Sequence, residues 1–139
     1  GLRDINSSYR MILDPCLDTL GLADITMRGS CDLALGDRKF SGNAQKRSRY
    51  CLLHQGTLLW DFDLDLIPHY LRQPEKQPEY REAREHLDFV INLPLDGAEL
   101  RQRIAASWKA SPPASDWRPP SLDTLLEEKY LSREWIERF

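Results

Sequence analysis

The sequence predicts an α+β domain, and three observations carry that expectation. Strand-like segments cluster between residues 22 and 62 instead of alternating with helices. Helix-period apolar faces flank the cluster, at residues 4–20 and 96–109. Gly36-Asp37 separates two short extended runs, which is the pattern of a tight hairpin with positive φ at the glycine.

The first helix is read from Ile5, Tyr9, Ile12, Leu13, Cys16, Leu17 and Leu20, spaced by three and four, with Gly21 as its stop. Asp14-Pro15 predicts a kink or restart inside it, because proline suits the first turn of a helix. Ala23–Arg28, Asp32–Leu35 and Arg38–Gln45 read as strands, and Lys46–Arg49 as a basic loop. Tyr50–Phe62 reads as the longest strand, with Gly56 marking a bulge or a close backbone approach. Asp63 is expected to cap a short helix to Leu71, and Gln73–Arg81, with two prolines, to form a surface loop. His86–Leu93 suits a strand or an ordered loop. Asp96 caps a helix to Lys109, with Glu99 three residues on and Leu100, Ile104 and Trp108 on one face. Ser111–Pro120 carries four prolines and reads as an extended connector. Ser121 caps a final helical pair with Leu122, Leu125, Leu126 and Tyr130 on one face, followed by Trp135 and Phe139.

The 139 residues suit one domain; 41% are apolar and 29% charged, the balance of a globular chain and not a disordered one. No apolar run approaches the roughly 20 residues of a membrane span, and no signal-peptide pattern opens the chain. The first residue is Gly1 and not Met, so processing, cloning or missing upstream residues are expected at this end. A net charge of −3 argues against a polyanion-binding protein, and a cytoplasmic location with no nucleic-acid or membrane partner is expected. Cys16, Cys31 and Cys51 are odd in number and form no CxxC pair, so they are expected to be reduced thiols and no metal site is assigned. Cys16 and Cys51 are expected to be buried.

Chemistry concentrates in Cys31–Gly56. Lys39 stands two residues past the hairpin turn and is followed by Ser41, Gly42, Asn43 and Ala44, all small or polar. An ammonium beside exposed backbone N–H groups suits a phosphate or a developing oxyanion. The GxxxxGK[ST] order of a phosphate loop is absent. On residue type alone, Lys39 reads more often as a solvated edge residue and Ser41-Gly42-Asn43 as a turn. Arg38, Lys39, Lys46, Arg47 and Arg49 stand within residues 38–49 with no acid among them, and the basic run 46–49 most often is a solvated loop.

The spacing resembles the lipoate–protein ligase, octanoyl transferase and biotin–protein ligase superfamily. There an Asp-bearing strand, a short hairpin and a strand of R-K-hydrophobic-S/A-G pattern occur together. Asp32-Leu33-Ala34-Leu35-Gly36-Asp37-Arg38-Lys39-Phe40-Ser41-Gly42-Asn43-Ala44-Gln45 matches that order. Leu53-His54-Gln55-Gly56-Thr57-Leu58-Leu59, then Asp61 to Leu64, matches the next strand of the lipoyl branch. Leu126–Tyr130 to Trp135 resembles the end of the catalytic domain. Two features depart from the pattern. No arginine-rich SGGG segment stands upstream, and Cys31 stands where ligases often carry Asn.

The resemblance implies a mixed, largely antiparallel sheet flanked by helices, the biotin/lipoate ligase catalytic fold of class II synthetase type, incomplete at its N-terminal side. Residues 1–139 would be the C-terminal portion of one catalytic domain. The implied activity is transfer of a lipoyl or octanoyl group to a lysine of an acceptor lipoyl domain, of a 2-oxoacid dehydrogenase or a glycine-cleavage protein. In the ligase form it runs through acyl-AMP, with ATP, Mg2+ and lipoate or octanoate as substrates and no tightly bound cofactor. Lys39 is implied as the lysine against the acyl carbonyl and α-phosphate. Asp32 would hold it, Gly42, Asn43 and Ala44 would offer N–H groups beside Ser41, and His54 and Gly56 would support the next strand. His54 reads more readily as a core histidine. The cysteine positions of known acyltransferase types are unfilled here, which favours the ligase. A cysteine-dependent transferase using Cys31 or Cys51, and a non-catalytic acyl-binding relative, stay open. The isolated chain is expected to be inactive, with a second chain or upstream residues supplying the other half. The basic run is expected to meet an acidic acceptor domain or nucleotide phosphates.

Overall fold

The computed structural model describes residues 4–111 and 121–138. Helix α1 (Ile5–Leu20) starts at Asp4, whose carboxylate accepts the Ser7 N–H, and stops at Gly21 with φ of 61°. The backbone runs on through Pro15 without a restart. Proline removes one helical bond, but Tyr9, Leu13, Cys16 and Leu20 are packed into the core and keep the register on both sides. Ile5, expected on that face, is exposed.

Four strands follow in antiparallel order: β1 (Ile25–Arg28), β2 (Asp32–Leu35), β3 (Arg38–Arg47) and β4 (Leu52–Leu58). The β2–β3 turn places Gly36 at φ of 61°, as the Gly-Asp pair predicts. The longest strand is β3, with ten residues, and not the segment from Tyr50. Lys46 and Arg47 belong to it, paired with Leu53 and Leu52, so the connector contracts to a turn closed by Ser48 N–H on the Cys51 carbonyl. Cys51 sits in that turn and is exposed, contrary to the burial expected of it. Beyond Leu58 the chain leaves β3 after the Leu59 N–H bonds the Phe40 carbonyl.

Helix α2 (Leu66–Tyr70) is shorter than expected and buries none of its residues; Asp63 accepts the Asp65 N–H, ahead of the helix. Residues 73–81 are not a free loop. They end in a 3-10 turn, Glu79–Arg81, whose Arg81 is buried. His86–Phe89 forms one helical turn, α3, and only Val90 then adds a parallel bridge to Lys39. Helix α4 (Gly97–Ser107) is capped by Asp96 and packs against α1. Residues 112–120, most of the expected connector, lie outside the described residues, as does Phe139. Ser121 accepts the Asp123 N–H, and α5 (Asp123–Leu125), a π-helical turn (Leu126–Tyr130) and α6 (Arg133–Ile136) follow with no buried residue. Among the described residues, no helix is long and apolar enough to cross a membrane.

The core lies between α1, α4 and one face of the sheet: Tyr9, Leu13, Leu20, Leu33, Phe40, Leu93 and Leu100. Phe40 has no exposed surface, so Phe40→Ala should cost about 3–5 kcal/mol in denaturant unfolding.

Asp4 and Asp96 have carboxyls held below their ordinary value, chiefly by backbone N–H bonds from Ser7 and from Ala98 and Glu99. A folded-state pKa below the unfolded value gives stability that is complete above the unfolded 3.8 and lost as pH falls through the folded value. Thermal melts should therefore show these caps failing only below about pH 4; Asp4→Asn and Asp96→Asn should flatten that fall.

Candidate active site

Strand alternation sorts β3 and β4 into two faces. Ser41, Asn43, Gln45 and Arg47 of β3 stand opposite Leu58, Gly56, His54 and Leu52 of β4. Their side chains turn toward α1. Gln45 accepts the Ser8 hydroxyl at 2.8 Å, Arg47 donates to the same hydroxyl at 2.9 Å, and the His54 ring meets Tyr9 edge-on at 5.8 Å. Gly42 and Ala44, paired with Thr57 and Gln55, occupy the opposite face. There an open cleft of about 750 Å3 is lined by Asp32, Lys39, Gly42, Ala44, Gln55 and Thr57, and by Asn43, His54 and Gly56 along the strands.

Lys39 reaches this cleft because of a register shift between β2 and β3. Ala34 pairs with Lys39 but Leu33 pairs with Ser41, leaving Phe40 as an extra residue. The bulge sinks Phe40 and Ser41 together and turns Lys39 to the side of Gly42. The ammonium lies 2.7 Å from Asp32 Oδ1, with the side chains 29% and 13% exposed. A Cβ on Gly42 would lie 3.2 Å from Lys39 Nζ, so glycine leaves the ammonium its space.

The structure thus brings together Asp32, Lys39, Gly42 and Ala44, and the Asp32–Lys39 pairing expected from the sequence is present. Asn43, His54 and Gly56 also line the cleft along the strands, while their side chains or Cβ directions, like that of Ser41, belong to the helix-facing side. Asn43 donates from Nδ2 to the Cys31 carbonyl at 2.7 Å and to Ser41 Oγ at 3.0 Å, while the Cys31 thiol donates to the Asn43 carbonyl at 2.9 Å. Gly56 is glycine because the Asn43 carboxamide lies where its Cβ would be. Burial lowers the His54 pKa, which suits a neutral packing residue. Sequence reading missed Gln55 and Thr57, although their alternation with His54 and Gly56 signals the other face. It also missed Tyr80, whose hydroxyl donates to Asp32 Oδ2 at 2.9 Å from 48 residues away. Among the described residues, no group of three or more His, Cys, Asp or Glu could hold a metal ion.

This arrangement, a lysine braced by a carboxylate over a glycine floor, falls within a known family. Residues 2–104 match the model of the lipoyl protein ligase A/B catalytic domain, and the chain belongs to that family. Over 120 residues it is 28% identical to Octanoyltransferase LipM of Symbiobacterium thermophilum, covering 77% of this chain and 44% of that protein. It is 33% identical over 92 residues to Lipoate-protein ligase A of Blochmanniella floridana, covering 63% of this chain and 27% of the relative. Inactive lipoate–protein ligase 2 of Plasmodium falciparum is 34% identical over 58 residues, 42% of this chain and 15% of that protein. The chain therefore spans less than half of these relatives. A chain from the structural analysis of an archaeal lipoylation system, a bi-partite lipoate protein ligase and its E2 lipoyl domain from Thermoplasma acidophilum, shares the fold, with a TM-score of 0.68 at 21% identity over 95% of this chain and 58% of that one. A lipoate-protein ligase A bound with ATP superposes with a TM-score of 0.61 at 20% identity, over 95% and 59% of the two chains.

Gly56→Ala should expel the Asn43 carboxamide and break both of its hydrogen bonds, costing about 1–3 kcal/mol. Gly56→Ala combined with Asn43→Ala should recover part of that loss in the same denaturant assay.

Proposed function

We propose that this chain carries the lysine-bearing half of a site that transfers a lipoyl or octanoyl group to an acceptor-domain lysine, activating the acid with ATP. The observation that carries the reading is the Lys39 ammonium, braced on Asp32 and aimed into an open cleft floored by Gly42. In the first step an acid oxygen attacks the α-phosphate of ATP, brought as its Mg2+ salt, and pyrophosphate leaves. In the second, the acceptor lysine's neutral amine attacks the acyl carbonyl and AMP leaves. Negative charge grows on phosphate oxygens and then on the carbonyl oxygen. Once the completing segment excludes water from the cleft, a fixed ammonium stabilises that charge by roughly 3–4 kcal/mol. Asp32 keeps the ammonium in place between the steps.

Family membership, the LipM relative and the ligase A relative support acyl transfer. The thiols favour ATP activation over a cysteine intermediate. Cys16 is buried, the Cys31 thiol is engaged by the Asn43 carbonyl, and Cys51 sits in a turn remote in register from Gly42. Three free cysteines also suit a cytoplasmic enzyme.

The reading includes a completing segment, upstream or on a second chain. Among the described residues β1 and β4 each pair on one side only, and bare strand edges invite pairing. The bi-partite relative offers a precedent for a second chain.

Lys39→Met in the completed domain should lower ATP-dependent transfer by about 100-fold or more, with an unchanged melting temperature. Lys39→Arg should also be poor, because a planar guanidinium does not replace a point charge. An unimpaired Lys39→Met variant would sink the assignment. Residues 1–139 alone should not support transfer, and adding the completing segment should restore it. A trapped acyl-thioester that disappears in Cys31→Ser would instead select the cysteine-dependent mechanism.

A further inference from the structure

Tyr80 enters the candidate active site from a segment whose other residues take no part in it. Its half-buried ring tilts against Phe89, with centroids 5.2 Å apart, and the Arg28 guanidinium lies 6.0 Å from the ring centre. Gly29, at φ of 55°, lies beneath it, and a Cβ there would sit in ordinary contact, 3.7 Å from Tyr80 Cε1. The segment is tied to the sheet through Arg84, which donates to the Asp37 carboxylate at 2.8 Å and to the Tyr80 carbonyl at 2.8 Å. A ring held at this many points presents its hydroxyl in one direction.

That hydroxyl donates to Asp32 Oδ2 at 2.9 Å, while Asp32 Oδ1 meets the Lys39 ammonium at 2.7 Å. Each carboxylate oxygen thus has one fixed donor, contributed by a different part of the chain. Burial, followed by the hydrogen bond and charge of Asp32, pushes the phenol well above its ordinary value. It remains a protonated donor at any working pH.

We propose that Tyr80 is a positioning residue for Lys39: by holding the second oxygen of Asp32 it fixes the plane of the carboxylate, and with it the direction in which the ammonium offers its other two protons to the cleft. The proposal rests on the reading of Lys39 as the charge-stabilising group. The terminal torsion of an aspartate is soft and roughly two-fold, and a lysine ammonium rides on a flexible four-carbon stem. With one donor only, the carboxylate can turn and take the ammonium with it. Small misplacements at a reacting centre cost orders of magnitude in rate.

The test is a double-mutant cycle in the completed domain, assayed with ATP, octanoate and an acceptor lipoyl domain. Tyr80→Phe keeps the ring and removes the hydroxyl. It should lower kcat about tenfold, with KM for octanoate within about twofold and a melting temperature near the parent's. In an Asp32→Asn background, Tyr80→Phe should cost nothing further. A latch that merely packs the segment would cost the same factor in both backgrounds, and that result overturns the proposal. So does a Tyr80→Phe variant at parental rate. Lys39→Met run alongside separates the two readings. If it is inactive while Tyr80→Phe is unaffected, only this proposal falls. If Lys39→Met retains full rate, both fall.

Discussion

The burial of Phe40 is the constraint on which the site depends. Its ring has no exposed surface and belongs to the cluster shared with α1 and α4. A strand of strict alternation would bury either Phe40 or Ser41, and here both are buried. The register shift against β2 reconciles them. Its by-product is that Lys39 and Gly42, three residues apart, face the same side. A hydrophobic requirement thereby sets the direction of a charged group.

Around that strand the molecule is braced by arginines more than by apolar mass on one side. Arg38 donates to the Val90 carbonyl at 2.8 Å, and buried Arg81 donates to Arg84 O and to Gln73 Oε1 while covering the Phe89 ring at 4.7 Å. These contacts give residues 73–90 a fixed course with little regular structure. Arg81 has its pKa lowered by burial but is a guanidinium and stays charged; its hydrogen bonds to carbonyls offset the desolvation.

Elements with strong local signals were legible from the sequence: α1 and its glycine stop, the Gly36-Asp37 hairpin, and α4 with its Asp96 cap. The Lys39–Asp32 pairing at the cleft was legible because their spacing around the R-K-hydrophobic-S-G run resembles a known pattern. What escaped was set at a distance. Lys46 and Arg47 read as a loop because charge suggests exposure, yet pairing with Leu53 and Leu52 makes them strand. His86–Leu93 has a strand's composition but turns once as helix, since only Val90 finds a strand partner. The bulge at Phe40 hides which of residues 41–44 share a side with Lys39, so the order of residues alone does not show that the Ser41, Asn43 and His54 side chains turn toward α1. Tyr80 left no local trace, because its role arises from a contact across 48 residues.

The two-faced hairpin of β3 and β4 divides the burden of inheritance. On the α1 side, Asn43, Gly56, Gln45 and His54 interlock, and a change at one must be answered at another. On the cleft side, Ala44, Gln55 and Thr57 are exposed. Two neighbouring codons can therefore evolve under different rules, one bound to the scaffold and the next free to vary with whatever meets the cleft. Such a partition allows one framework to be retuned repeatedly without being rebuilt.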